Sequence, residues 1–300
     1  STQGYSSAAS DVYKRQGLIR DVMQRHESSL DWLSVFLSIG LIGVMYVINQ
    51  IGKTKINWTI SGTILLVSIL AIIWFCIRQL KLQNPLLELR VMKTFNYDLA
   101  ILLTSISYIA LIVTTIIFPL YYQGVLKVSP FVSGMSLVPG AALLSILNPL
   151  TGKLADKIGF KPTMLVGMAM IVAGWFVGLF LINQMSLWIM ILCAMVIEGG
   201  NAFVMMPAVT LGANSLPNEL VPHGTAVITT VRQVLGSTGV AVSTIILTTV
   251  TSHNLSHGMG NLSAALGGYH YVFLTMLFVE IIGLLLALAL KNTVKKDAKA

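Results

Sequence analysis

Eight apolar runs, each close to the length that crosses a lipid bilayer, decide what this chain can become. They cover residues 32–50, 58–77, 99–123, 130–150, 163–182, 187–213, 225–250 and 269–290. A hydrocarbon layer about 30 Å thick is crossed by roughly 20 apolar residues in helical form. Inside it no water completes the backbone hydrogen bonds, so only helices and closed barrels are admissible. Runs that are continuously apolar rather than alternating select helices. The fold class read from this pattern is an all-α, multi-pass membrane protein. Composition agrees, because a 300-residue chain that is 55% apolar and 10% charged cannot clothe a soluble surface.

The net charge of +8 sits in short connections between apolar runs rather than along one polar stripe. That arrangement sets topology and gives no nucleic-acid face. One set of alternate connections carries thirteen Lys and Arg, the other only Lys53, Lys55 and Lys127. Cationic loops stay inside, so the connection at 152–159 and the Lys-rich C-terminal tail are expected in the cytoplasm of a cell membrane. Trp32, Trp58, Trp74, Tyr97, Tyr121, Tyr122, Trp188 and Tyr269 lie near run ends, where either an interfacial or a core position fits. Cys76 and Cys193 fall inside apolar runs and read as packing residues. The five histidines read mostly as loop residues without a metal-ligand pair in one helix, so no metal is expected. No phosphate-binding loop of the Gly-x-x-x-x-Gly-Lys type is present, and the chain reads as a non-enzyme that takes its energy from an ion gradient, with no cofactor.

The segment Gly152-Lys153-Leu154-Ala155-Asp156-Lys157-Ile158-Gly159-Phe160-Lys161-Pro162 resembles the cytoplasmic signature of the major facilitator superfamily, with Phe160 where a second basic residue often stands. Asn84-Pro85-Leu86-Leu87-Glu88-Leu89-Arg90, Phe118-Pro119-Leu120-Tyr121-Tyr122-Gln123, Leu137-Val138-Pro139-Gly140 and Arg232-Gln233-Val234-Leu235-Gly236-Ser237-Thr238-Gly239 resemble that superfamily's fourteen-helix drug:proton antiporters. The resemblance implies eight transmembrane helices of an expected fourteen, with an N-terminal six-helix bundle missing. The implied order is a non-native leader at 1–16, a cytoplasmic segment at 17–31, an extra central helix pair at 32–80 and a cytoplasmic loop at 81–97. A C-terminal six-helix bundle at 98–290 and a cytoplasmic tail at 291–300 follow.

Ionisable groups inside apolar runs carry the chemistry, because a charge at mid-bilayer depth costs roughly 2.5 to 3.5 kcal/mol on insertion scales and must face protein or water. Glu198 heads a Glu-Gly-Gly-Asn sequence in the sixth run, and helical spacing places Met195, Asn201, Ala202 and Met205 on its face. One acid, one amide and adaptable thioethers suit a cavity for lipophilic cations, and a buried carboxyl is a candidate proton carrier. A packed, satisfied Glu is the alternative. Arg232 in the seventh run needs a partner, with Glu198 as a candidate and structural anchoring as the rival role. Glu280 reads as a packed acid in the last run rather than a relay, and Asp98 as an acid at a helix start.

The signature residues Gly152, Asp156, Lys157, Gly159 and Lys161 are expected to form a loop. By resemblance this loop latches two bundles in one conformation, with Asp156 favoured by a helix N-terminus. The function expected is proton-coupled efflux of drug-like compounds by alternating access. The partners expected are substrate, protons, the lipid bilayer and the missing bundle, with a periplasmic adaptor as an optional further partner, in a bacterium. A specific metabolite exporter or importer on the same fold, or a non-transporting membrane sensor, are the alternatives.

Overall fold

Each apolar run becomes helical, the fourth as two helices. The computed structural model describes residues 31–51, 57–82, 85, 88–92, 94–184 and 186–291. The leader at 1–16, residues 17–30, Lys53, Lys55, Asn84, Leu86, Leu87, Lys93 and the tail after Lys291 lie outside the described residues. The helices are α1 Trp32–Ile51, α2 Trp58–Lys81, α3 Phe95–Gly124, the short α4 Pro130–Met135, α5 Val138–Ile158, α6 Phe160–Phe180, α7 Leu187–Asn214, α8 Val221–Ser256 and α9 Asn261–Ala289, with a 3₁₀ turn at Leu89–Val91 before α3. Among the described residues seven spans are long and apolar enough to cross a membrane, α4 and α5 counting as one, and α1 adds a shorter apolar stretch at Trp32–Val47. No strand occurs among the described residues. The protein is a multi-pass, all-helical membrane protein.

Local chemistry sets the starts. Asn57, Ser129 and Ser186 accept hydrogen bonds from Ile60, Val132 and Ile189, three residues on in each case. Asp98 takes the first turn of α3. Two helices outrun their apolar cores: α8 continues through polar Thr251 to Ser256, and α9 begins at Asn261, well before residue 269. Leaving the hydrocarbon does not end a helix, because its backbone bonds are already made internally.

The signature segment corrects the loop expectation. α5 runs unbroken through Gly152 and Asp156 to Ile158, and only Gly159, at φ +101°, separates it from α6. Asp156 therefore lies in the last turn of α5, where the dipole opposes an acid, and not on the helix N-terminus that the sequence suggested. Lys157 in the same turn has the favourable sign.

Two helices occupy the middle. In α3 and α7, 61% of the best apolar window is buried, against 17% for α2 and the α4/α5 span and 22% for α8. α7 packs on α6, α5 and α3, α9 bridges α6 and α8, and the α1/α2 pair reaches the rest through α8 and the 3₁₀ turn. Hydrocarbon tails are as apolar as these side chains, so close packing rather than exclusion of water holds the helices. Phe118, Trp175 and Phe273 pack ring to ring at 5.3 to 5.6 Å and join α3, α6 and α9. The Gly200 backbone meets Gly167 so closely that a methyl group on either would fall 2.6 Å from the other's carbonyl oxygen.

The aromatic residues divide. Tyr97, Tyr121, Tyr122 and Tyr269 are core residues, and Trp32, Trp74 and Trp188 are exposed. The tyrosine hydroxyls explain two of the buried positions, Tyr97 donating to the Gly224 carbonyl at 2.8 Å and Tyr121 to that of Ile182 at 2.9 Å.

Candidate functional site

The sequence Glu198-Gly199-Gly200-Asn201 lies in the middle of α7, and because a helix turns by about 100° per residue its members face different neighbours. Glu198 looks at α5, Gly199 at Leu143 and Met170, Gly200 at Gly167 of α6, and Asn201 at Ser107 of α3. Two consecutive glycines here let α6 and α5 approach the backbone that carries the acid.

Glu198 is 1% exposed. Its carboxyl rests on Gly140 in the first turn of α5, where a methyl group would fall 2.8 Å from Cδ, 2.9 Å from Oε2 and 3.0 Å from Oε1. The chain makes room there in two ways. The fourth span breaks between α4 and α5, and Pro139 in the first turn leaves α5 without an N–H at that position. Oε1 of Glu198 is buried without a hydrogen-bond partner. The Tyr122 hydroxyl of α3 is likewise buried and unpartnered. A carboxyl oxygen with unspent hydrogen-bonding capacity can take up a proton, or a ligand's donor, without first breaking an existing bond.

Asn201 is committed to structure. Its amide donates to the Ile197 carbonyl at 3.1 Å, and its Oδ1 accepts from the Ser107 hydroxyl. Thr151 adds a second polar tie to α7, donating to the Ala202 carbonyl at 2.7 Å. Met195 and Met205 are half-buried on the same helix.

Arg232 is not joined to Glu198. Its guanidinium carbon sits 4.9 Å from the centre of the Tyr108 ring, and its Nε is buried without a partner. Gly236, one turn on, accommodates that ring, since a methyl there would fall 2.7 Å from Tyr108 Cδ1. The Arg232-to-Gly239 motif thus shapes α8 to receive α3. Glu280 is fully buried in α9, with neither carboxyl oxygen hydrogen-bonded. It lies on the face between Phe273, stacked on Phe118, and Gly283, packed on Ile106 and Met168. That places it at the α3, α6 and α9 junction, away from α5.

The signature residues are spread along the α5/α6 corner. Asp156 and Lys157 are exposed, and Gly152 has open space beside its Cα. Lys161 instead reaches across and donates to the Leu288 carbonyl at the end of α9, 2.7 Å away, a cation at a helix C-terminus. At the opposite end, His253 lies in the last turn of α8, contrary to the loop assignment, and His257 caps that helix, with ring centres 4.2 Å apart. No group of three or more potential metal ligands occurs among the described residues. Sequence reasoning found Glu198 but not its contact with Gly140, and found Asn201 and Arg232 but not their partners Ser107 and Tyr108. Gly140 had a signal, a glycine beside Pro139 at the start of a span.

Residues 28–240 match the family model described as Major Facilitator Superfamily. The MFS-type transporter YcnB of Bacillus subtilis is 35% identical over 95% of this chain and 60% of its own length. The lincomycin resistance protein LmrB of Bacillus subtilis is 32% identical over 93% of this chain and 60% of its own. The multidrug resistance protein Stp of Mycobacterium tuberculosis is 24% identical over 63% and 35%. The chain spans 60% of the length of the first two relatives.

Proposed function

Because this chain belongs to the major facilitator superfamily, a family of transporters rather than enzymes, we propose that it supplies the C-terminal bundle and central helix pair of a proton-coupled efflux antiporter for lipophilic, cationic compounds. The observation that carries the reading is Glu198, an acid buried in the bundle interior with a carboxyl oxygen that has no hydrogen-bond partner. A carboxyl so placed binds either a proton or a cationic substrate, and mutual exclusion between the two is the elementary step of an antiporter. Relatives named for lincomycin and multidrug resistance favour drugs over nutrients as cargo.

On this proposal the bundle works against a second six-helix bundle, with the substrate held between them near mid-membrane. The exposed Asp156 and Lys157 meet that second bundle in one of the two conformations, and the end of the molecule bearing Lys157 and Lys161 faces the cytoplasm. The proton gradient supplies the energy, with no organic cofactor. An adaptor in the cell envelope is compatible with this scheme and is not required by it.

The test is accumulation of ethidium and of lincomycin in cells expressing the whole gene, wild type or Glu198→Gln, with and without a protonophore. Wild type is expected to lower accumulation until the protonophore is added, and Glu198→Gln to abolish that difference. Equal accumulation in all four conditions would refute transport, and a wild-type response retained in Glu198→Gln would remove Glu198 from the coupling.

A further inference from the structure

The polar end of α8 carries two imidazoles on one face. His253 lies in the last turn of the helix, and His257 is the residue that caps it. A residue and its fourth successor stand one above the other on a helix. The helical register holds to that point, since the His257 N–H still reaches the His253 carbonyl at 3.2 Å. Both rings are exposed, with centres 4.2 Å apart and planes tilted by 47°. Zinc–imidazole bonds are about 2.0–2.1 Å long, so two nitrogens on one tetrahedral ion stand roughly 3.4 Å apart, within reach of rings this close.

Two further features fix His257. The Met259 N–H donates to the Asn254 carbonyl at 3.1 Å and the Gly258 N–H to that of Leu255 at 3.0 Å, while Gly258 takes a φ of +81°. This is a Schellman cap, which holds the end of the helix in one geometry. The His257 Nδ1 lies 2.9 Å from the His253 carbonyl. A carbonyl only accepts, so Nδ1 carries the proton and Nε2 keeps the lone pair that a metal takes. Metal-binding imidazoles are oriented by such a bond at their other nitrogen. The negative end of the α8 dipole adds a preference for a cation.

The donors select the ion. No Asp or Glu occurs between Val221 and Val279, so neither α8 nor the first turns of α9 offer a carboxylate. Ca²⁺ and Mg²⁺ need oxygen ligands, whereas imidazole suits Cu²⁺, Ni²⁺ and Zn²⁺. We propose that His253 and His257 form a surface site for one of these divalent transition-metal ions, with water in the remaining positions. The site lies at the end of the bundle away from Lys161, and its occupation clamps the last turn of α8. It depends neither on proton coupling at Glu198 nor on the cargo.

The test titrates the intact protein, purified in detergent without a polyhistidine tag, with Cu²⁺, Ni²⁺, Zn²⁺, Ca²⁺ and Mg²⁺ by isothermal calorimetry. Wild type is expected to bind one equivalent of Cu²⁺ more tightly than Ni²⁺ or Zn²⁺, and to bind neither Ca²⁺ nor Mg²⁺. His253→Gln and His257→Gln are each expected to weaken Cu²⁺ binding by about tenfold or more, because the second imidazole no longer acts within the same molecule. A protein with His26, His223 and His270 all changed to Gln is expected to bind as wild type does. Gly258→Ala, which strains the cap and leaves both imidazoles in place, is expected to weaken binding as well. Absence of a saturable one-to-one site in wild type, undiminished affinity in either single histidine variant, or loss of binding in the triple variant would overturn the proposal. Full affinity in Gly258→Ala would overturn it as a preformed site.

Discussion

Glu198 owes its position to a residue with no side chain. Gly140 lies where a methyl group would press on the carboxyl at 2.8 Å, so Gly140→Ala is expected to destabilise by about 1–3 kcal/mol, the cost of overfilling a packed site. The same substitution in a Glu198→Ala background is expected to cost little, and thermal unfolding of the four proteins in detergent measures that coupling. A second prediction concerns Arg232, whose guanidinium has the Tyr108 ring beneath it. Tyr108→Phe keeps a ring face and is expected to be nearly neutral, whereas Tyr108→Leu is expected to cost about 1–2 kcal/mol. Sequence reasoning could name Glu198, Arg232 and Glu280 because a charge inside an apolar run stands out by itself. It could not say that Arg232 meets an aromatic ring rather than Glu198, since α3 intervenes through contacts distant in sequence.

Helices were legible wherever hydrophobicity and capping residues agreed, and least legible where polarity and helicity part company. The extensions of α8 and α9 are helical but polar, so reading apolar runs alone shortened both. The signature segment misled for a related reason: glycine, aspartate and lysine at 152–157 look like loop chemistry, yet the chain there keeps α5 going. The real break is Gly159, whose φ of +101° suits glycine and strains an L-residue. Gly159→Ala is therefore expected to cost about 1–2 kcal/mol, read as a lower unfolding temperature, while Gly152→Ala, with open space at its side, is expected to be neutral or slightly stabilising. Helix pairing follows the same logic, and Gly200→Val, driven against the Gly167 carbonyl, is expected to prevent α6 and α7 from seating, seen as loss of folded protein on size exclusion.

At the scale of the molecule, the buried share of each helix separates a sealed middle, α3 and α7, from the more exposed α2, α5 and α8. The proposed orientation has a direct check: a single cysteine at Lys157 is expected to react with a membrane-impermeant maleimide only in inside-out vesicles, and one at Lys127 only in intact cells. Reaction of both from one side would refute the charge-based topology. The run of α5 from Gly140 to Asp156 has a mechanical meaning. It joins the acid's resting place to the exposed signature over roughly 24 Å of continuous helix, with a single compliant point at Pro149, where a backbone bond is missing. A push at the membrane surface therefore arrives at Glu198 with little slack, and the stiffness of that one proline joint sets how much of the travel is lost on the way.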